Sequence, residues 1–205
     1  MRIPYCSDVH HGPAGHPACD ETPGFLEAKA AIEARLGCAV RVLGDGNELL
    51  QFTEAEIGEL IPVHVDGNHD RGRGPRWVIV ETERGRTMET HGDLFDPAWV
   101  HAVEPIACKV ARVLEWFSRD ADLAVTDWVR RRIGLGRYGT WDDYKVRAAR
   151  FAARLECDQV VFGHLHELHD EWVWVLGFGY VHVVCTGCCC RTRDGYRMDF
   201  VEIEV

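Results

Sequence analysis

Two histidines one residue apart, His164 and His166, close the stretch VFGHLH, where an apolar run stops at a glycine. Imidazoles at i and i+2 of an extended segment turn to the same side, so the pair can offer two nitrogens together. Four other apolar or β-like runs stop in a similar way. One runs into Ser7, Asp8, Val9 and His10, and a second into Gly44, Asp45, Gly46, Asn47 and Glu48. A third meets Asp66, Gly67, Asn68, His69 and Asp70, and a fourth meets His91, Gly92 and Asp93. Carboxylates, an amide and imidazoles, with no cysteine converging on them, form a mixed oxygen and nitrogen set. That set suits Mn, Fe or Zn rather than a structural thiolate zinc site. More donors are present than one ion takes. Two ions sharing a carboxylate would account for them, and such pairs stabilise the attacking and leaving oxygens of phosphoryl chemistry while lowering the pKa of a bridging water.

For this chemistry five strand ends must converge. In open α/β sheets the binding crevice lies at the carboxyl ends of strands, which is where these polar clusters fall. The expected strands are 3–6, 41–43, 62–65, a hairpin of 78–80 with 87–90 around Glu83, Arg84 and Gly85, and 160–162. WVWVLGFGYVHVVC reads as a hairpin turning at Gly177 to Gly179, and RMDFVEIEV as a last strand. Helices are expected between them. PGFLEAKAAIEARLG carries Leu26, Ile32 and Leu36 at helical spacing and stops at Gly37, and Thr53 with Glu56 has capping-box spacing before Ile57 and Leu60. Asp96 before Pro97 reads as the cap of a helix to about Ser118; further helices are expected over 123–133 and 142–155, separated by the glycine-rich GLGRYGT.

With 205 residues the chain is long enough for one well-cored domain. No apolar run is long enough to span a bilayer, and the start, MRIPYCSD, leaves no room for a signal peptide, so a cytoplasmic location is expected. Nine cysteines are an odd number and read as mostly reduced thiols. The net charge of −10 argues against a general nucleic-acid partner. Eight Lys/Arg against two Asp lie between Trp128 and Arg154, however, an island that suggests a phosphate or lipid head-group site or else a solvated helix face.

The ordered series SDVH, GDGNE, GNHD, HGD and GHLH resembles the calcineurin-like metallophosphoesterases, whose motifs read DxH, GDxxD, GNH, a glycine-linked His, and GHxH. HGDLFDP and the helical segment after it resemble more narrowly the UDP-2,3-diacylglucosamine diphosphatase branch. The resemblance implies an α/β (α+β) fold, a four-layer αββα sandwich of two mixed β-sheets flanked by helices. It implies a single domain over 1–205 with a helical insert at about 97–156 above the site. It places Asp8, His10 and His166 on one metal and Asn68, His91 and His164 on the other, bridged by Asp45. His69 would be a catalytic imidazole outside the ligand set, acting on the leaving oxygen, and Glu48 stands where relatives orient that histidine. Two divalent ions are implied, Mn²⁺ foremost, with Fe or Zn as alternatives.

Other polar residues have plainer readings. His11, His16, His64, His101, His169 and His182 read as core or surface histidines, Asp93 and Asp70 as supporting acceptors, and Asp96 as a cap. Asp66 and Arg71 flank the GNHD motif, where solvent exposure explains them as well as contact with substrate. Cys185–Cys190, CTGCCC, reads as buried or pocket-wall thiols, since a zinc site through Cys185 and Cys188 lacks a second CxxC. Lys145 and Arg147 are splayed by about 200° on a helix, which leaves Arg147 beside Arg150 and turns Lys145 toward the site. With Tyr138, Trp141 and Tyr144 they are read as a substrate clamp. The expected activity is dimetal hydrolysis of a phosphodiester or pyrophosphate in a nucleotide or lipid-linked nucleotide. The alternatives are a nuclease of the same superfamily and a catalytically inactive interaction module.

Overall fold

Alternation of side chains along the strands sorts the apolar residues into three separate interfaces, and these interfaces define the layers. The computed structural model describes residues 2–13, 22–70, 72–82, 85–96, 140–192 and 195–204, with helical pairs at 105–106, 109–110 and 113–114. A three-stranded sheet joins β1 (Arg2–Cys6) in parallel to β2 (Arg41–Val42) and antiparallel to β10 (Val201–Glu204). A five-stranded sheet holds β3 (Trp77–Thr82), β4 (Gly85–Thr90), β5 (Gln159–Phe162), β6 (Leu168–Val175) and β7 (Gly179–Thr186) in the order β3-β4-β5-β7-β6. β4, β5 and β7 run parallel, and each edge strand returns antiparallel. A small ribbon pairs β8 (Arg191–Thr192) with β9 (Gly195–Tyr196).

Ile3, Tyr5, Leu43, Val65, Val161, Val184 and Ile203 fill the space between the two large sheets. The alternate residues face outward to the helices. Cys6 and Val42 meet Phe25 of α1 (Thr22–Leu36), while Val160, Phe162, Val181, Val183 and Cys185 meet Tyr144, Ala148, Ala149 and Ala152 of α3 (Trp141–Arg154). The three alanines let that helix lie close on the sheet. The layers run helix, sheet, sheet, helix, as the expected sandwich requires. A short α2 (Glu54–Ile57) carries the predicted capping box, in which the Thr53 N–H donates to Glu56 at 2.8 Å.

Three expectations need correction. Phe25, not Leu26, anchors α1: Leu26 is 49% exposed, whereas Phe25 is buried and stacks on Phe200. The stretch 62–65 is no strand, because Pro62 offers no N–H and only a single bridge, Leu43 to Val65, forms. The helix of 142–155 belongs to the sandwich as α3, packed against the five-stranded sheet. The expected helix over 123–133 lies outside the described residues, as does most of that following Asp96. No helix among the described residues is long and apolar enough to cross a membrane.

Candidate metal centre

Asp8, His10, Asp45, His164 and His166 have positive φ, between 49° and 73°, a backbone state that costs non-glycine residues about 1 kcal/mol or more each. Among the described residues the only other non-glycine case is Glu156. Such strain persists only where neighbours enforce it. Here the 8–11 loop is laced onto the 44–46 loop: Val9 and His10 N–H both donate to the Asp45 carbonyl at 2.9 Å, and His11 N–H to Gly46 at 3.0 Å. Two motif glycines have a steric reason. A Cβ on Gly67 would overlap the Asp45 carboxylate, and one on Gly163 would overlap Ser7.

Four strand ends and the loop after Val65 therefore converge, and their side chains meet as acceptors. His91 Nδ1 is 2.8 Å from the Leu43 carbonyl, so that nitrogen carries the ring proton. Nε2 then directs its lone pair at Asp45 Oδ2 (3.1 Å), Asn68 Oδ1 (3.0 Å) and His164 Nδ1 (3.2 Å). His164 is committed in the same way, with Nε2 2.8 Å from Asp96 Oδ2. Asp8 Oδ2 accepts the His164 N–H at 2.8 Å, and its other oxygen, Oδ1, is buried without a hydrogen bond, 3.2 Å from His166 Nε2. Lone pairs facing lone pairs at such distances need positive charge between them. Without an ion, protons supply it. Burial works against charging His91, yet Asp45 and Asp8 raise its pKa well above the ordinary histidine value. Burial likewise opposes ionisation of Asp45, but His91 and His69 hold it well below the ordinary aspartate value.

Three sets of donor atoms lie within 4.8 Å of one another: Asp8, Asp45, His91 and His164; His10, Asp45 and His69; and His10, His166 and Cys190. Asp45 belongs to two of them, the geometry a bridging carboxylate requires. The residues fit a pair of cations. Glu48, buried, joins two histidines, with Oε2 2.8 Å from His10 Nδ1 and Oε1 2.6 Å from His69 Nδ1. Burial opposes its ionisation, but the two histidines bring its pKa down to about 2. Both rings are thereby turned so that Nε2 faces the centre, and His69 Nε2 stands 3.9 Å from Asp45 Oδ2.

Supporting residues complete the site. Asp70 accepts the N–H groups of Gly46 (2.9 Å) and Gly67 (2.8 Å), while Asp93 pairs with Arg76 at 2.8 Å. Asp66 accepts from Gly72 and Gly74 and so shapes its own loop. Asp96, read as the cap of a helix whose start lies outside the described residues, is the partner of His164, and nothing local reveals that long-range contact. Cys190, read as a pocket wall, has its sulfur 3.7 Å from His166 Nδ1. Lys145 and Arg147, read as a substrate clamp, have partners within the fold and belong to none of the donor sets. Lys145 pairs with Asp142 (2.7 Å) and Glu171 (2.8 Å), and Arg147 donates to the Phe95 carbonyl and lies over the Tyr144 ring. His64, His169 and His182 have structural partners in Glu89, Trp141 and Asp170, while His16, His101 and Arg71 lie outside the described residues.

No family model matches the chain, and no curated protein matches it. Solved structures do. A single-mutant Vps29 from Entamoeba histolytica aligns with TM-score 0.50 and 14% identity over 100% of this chain and 86% of that one. Vps29 from Chaetomium thermophilum aligns with TM-score 0.50 and 14% identity over 100% and 82%. A predicted phosphoesterase from Streptococcus pneumoniae aligns with TM-score 0.47 and 21% identity over 100% and 83%. At these identities the likeness is one of architecture, and the two sheets with their flanking helices give this chain the calcineurin-like metallophosphoesterase fold.

Proposed function

We propose that the protein is a dimetal-dependent phosphoric ester hydrolase acting on a phosphodiester or pyrophosphate bond. The observation that carries this reading is the acceptor-only contact around His91 Nε2, with Asp45 common to two donor sets. Asp8, His10 and His166 would hold one ion, Asn68, His91 and His164 the other, and Asp45 both. Two divalent cations there supply Lewis acidity and activate water near neutral pH. The chain does the rest. Glu48 accepts the Nδ1 proton of His69 and turns its Nε2 toward the centre, where it would act on a departing oxygen. Asp96 and the Leu43 carbonyl fix the tautomers of His164 and His91.

Substrate identity rests on less. The likeness of HGDLFDP to the diacylglucosamine branch supports a nucleotide-linked lipid, but Lys145 and Arg147 are engaged elsewhere and lend it nothing. A second reading is a binding module. It is favoured by the uncovered aromatic surface on β6 and β7, where Trp172, Trp174 and Tyr180 are all at least 60% exposed. The deciding experiment strips the chain with chelator, reloads it with Mn²⁺, and assays phosphomonoester, diester, pyrophosphate and DNA substrates. Turnover of a diester or pyrophosphate that vanishes on chelation and returns on reloading is expected. Two bound ions with no turnover of any substrate would leave the binding module as the function.

A further inference from the structure

Beside the oxygen and nitrogen donors of the proposed centre lies a sulfur. Residues 187–190 turn back along the metal-bearing loop: Cys189 N–H donates to the Ser7 carbonyl at 3.0 Å, and the Cys188 carbonyl accepts from Asp199 N–H at 2.9 Å. Side chains of an extended segment alternate. Cys189 thus enters the core beside Cys6 and Phe25, and Cys190 faces the opposite way, toward His166. One nitrogen of His10, one of His166 and the Cys190 sulfur lie within 4.8 Å of one another. Glu48 already occupies His10 Nδ1, so Nε2 is the nitrogen offered.

His166 faces two partners with its two nitrogens. Nδ1 lies 3.7 Å from Cys190 Sγ, and Nε2 lies 3.2 Å from Asp8 Oδ1, the buried oxygen without a hydrogen bond. We propose that Cys190 is a sulfur ligand, joining His10 and His166 around one cation of the centre, so that this half of the site is a nitrogen–sulfur site. The inference rests on the dimetal reading above and deepens it. A cation bound at Nδ1 leaves the Nε2 proton for Asp8 Oδ1, a carboxylate–imidazole–metal relay that gives that oxygen its missing partner. This revises one part of the proposed function: Asp8, assigned there to the same ion as His166, instead orients the His166 ring through Oδ1. Binding converts the thiol to thiolate and releases one proton to solvent, with no change of oxidation state. With Asp45 shared between the two ions, this cation would have two nitrogens, one sulfur and one carboxylate oxygen as its protein donors. Thiolate is a soft donor, so this half of the centre takes zinc over manganese.

The test is spectroscopic. The purified chain, stripped of metal and kept reduced, is titrated with Co²⁺ while the visible d–d bands and the near-ultraviolet thiolate-to-cobalt charge-transfer band are followed. The charge-transfer band should appear in the parent chain and in Cys188→Ser and be lost in Cys190→Ser, whose zinc affinity at this site should fall at least about tenfold. Bound cobalt with d–d bands but no charge-transfer band in the parent chain would overturn the sulfur ligand while leaving the dimetal reading standing. A band that survives Cys190→Ser would overturn it as well. Absence of any cobalt binding would remove both. Zinc-edge X-ray absorption on the zinc-loaded parent needs no variant: a sulfur shell at about 2.3 Å supports the assignment, and nitrogen and oxygen alone at about 2.0–2.2 Å refute it.

Discussion

Glu89, on β4, and Asp45, after β2, are both buried carboxylates, but their surroundings answer the charge in opposite ways. Around Glu89 the chain brings donors of its own to one oxygen and an imidazole close to the other. Tyr5 O–H donates at 2.6 Å, Arg41 pairs with the same oxygen, and His64 Nε2 stands 2.6 Å from the other. Burial works to raise the Glu89 pKa, yet His64, Tyr5 and Arg41 hold it below the ordinary glutamate value. Around Asp45 the side chains are imidazoles whose other nitrogens are already committed, an amide oxygen and a second carboxylate, and the backbone beneath them is strained. Burial of a carboxylate therefore says little about function by itself. What marks a site is a shortage of donors that the fold has been built to maintain.

The largest effect separating the two regions should come from Asp45→Ala. Metal analysis is expected to show reduced occupancy at both positions and activity below detection, whereas two tightly retained ions would dismiss Asp45 as the bridge. His69→Ala should keep its metals while kcat falls by roughly 10²–10⁴-fold, the range for a lost acid or electrostatic group. Loss of metal in that variant would move His69 into the ligand set, as its place beside His10 and Asp45 permits. Glu89→Gln should do the reverse. Metal content and kcat stay, but stability falls by roughly 3 kcal/mol because Arg41 loses its counter-charge.

The pH dependence has a definite sign. A carboxylate whose folded pKa is depressed contributes stability above its unfolded pKa and loses it as pH falls through the folded value. Urea midpoints of the parent should therefore fall as the pH drops below the ordinary glutamate range, and part of that fall should be missing in Glu89→Gln. An unchanged acid profile would show that the cluster carries no linkage. The smallest effect is expected from Lys145→Ala, which should change KM for a small diester and for a nucleotide-linked substrate by less than about twofold. A KM rise confined to the larger substrate would restore the clamp.

The converging strand ends were legible because the chain changes period abruptly there, from β-like runs to Asp, Asn, Gly and His. The hairpin through Gly177 and Gly179 was legible for the same reason. Three things were not. Positive φ at Asp8 or His164 follows from loops laced together across the molecule, and a single residue type does not announce it. The Asp96–His164 contact spans 68 positions, and the local Asp-Pro signal pointed elsewhere. For Lys145 and Arg147 the composition suggested an anion site, but two carboxylates and a carbonyl within the fold already take those cations. The choice of Leu26 over Phe25 was a phase error of one residue, which on a helix is enough to move a side chain from core to solvent.

β1 finds its antiparallel partner only in β10, and the Ser7 carbonyl is held by Cys189. On a ribosome the residues leave the exit tunnel in chain order. β1 and the Asp8 loop can meet β2 and the 44–46 loop early, but they wait through the synthesis of nearly everything between before Cys189 and β10 emerge. The five-stranded sheet closes at β7, sooner than the three-stranded one does. A nascent chain halted just after Thr186 would hold GHLH on a formed strand, with neither Cys189 to clamp Ser7 nor β10 to pin β1. The Asp8 loop thus receives its final contacts only once residues 189–204 have emerged, after the histidines of GHLH are already on a formed strand.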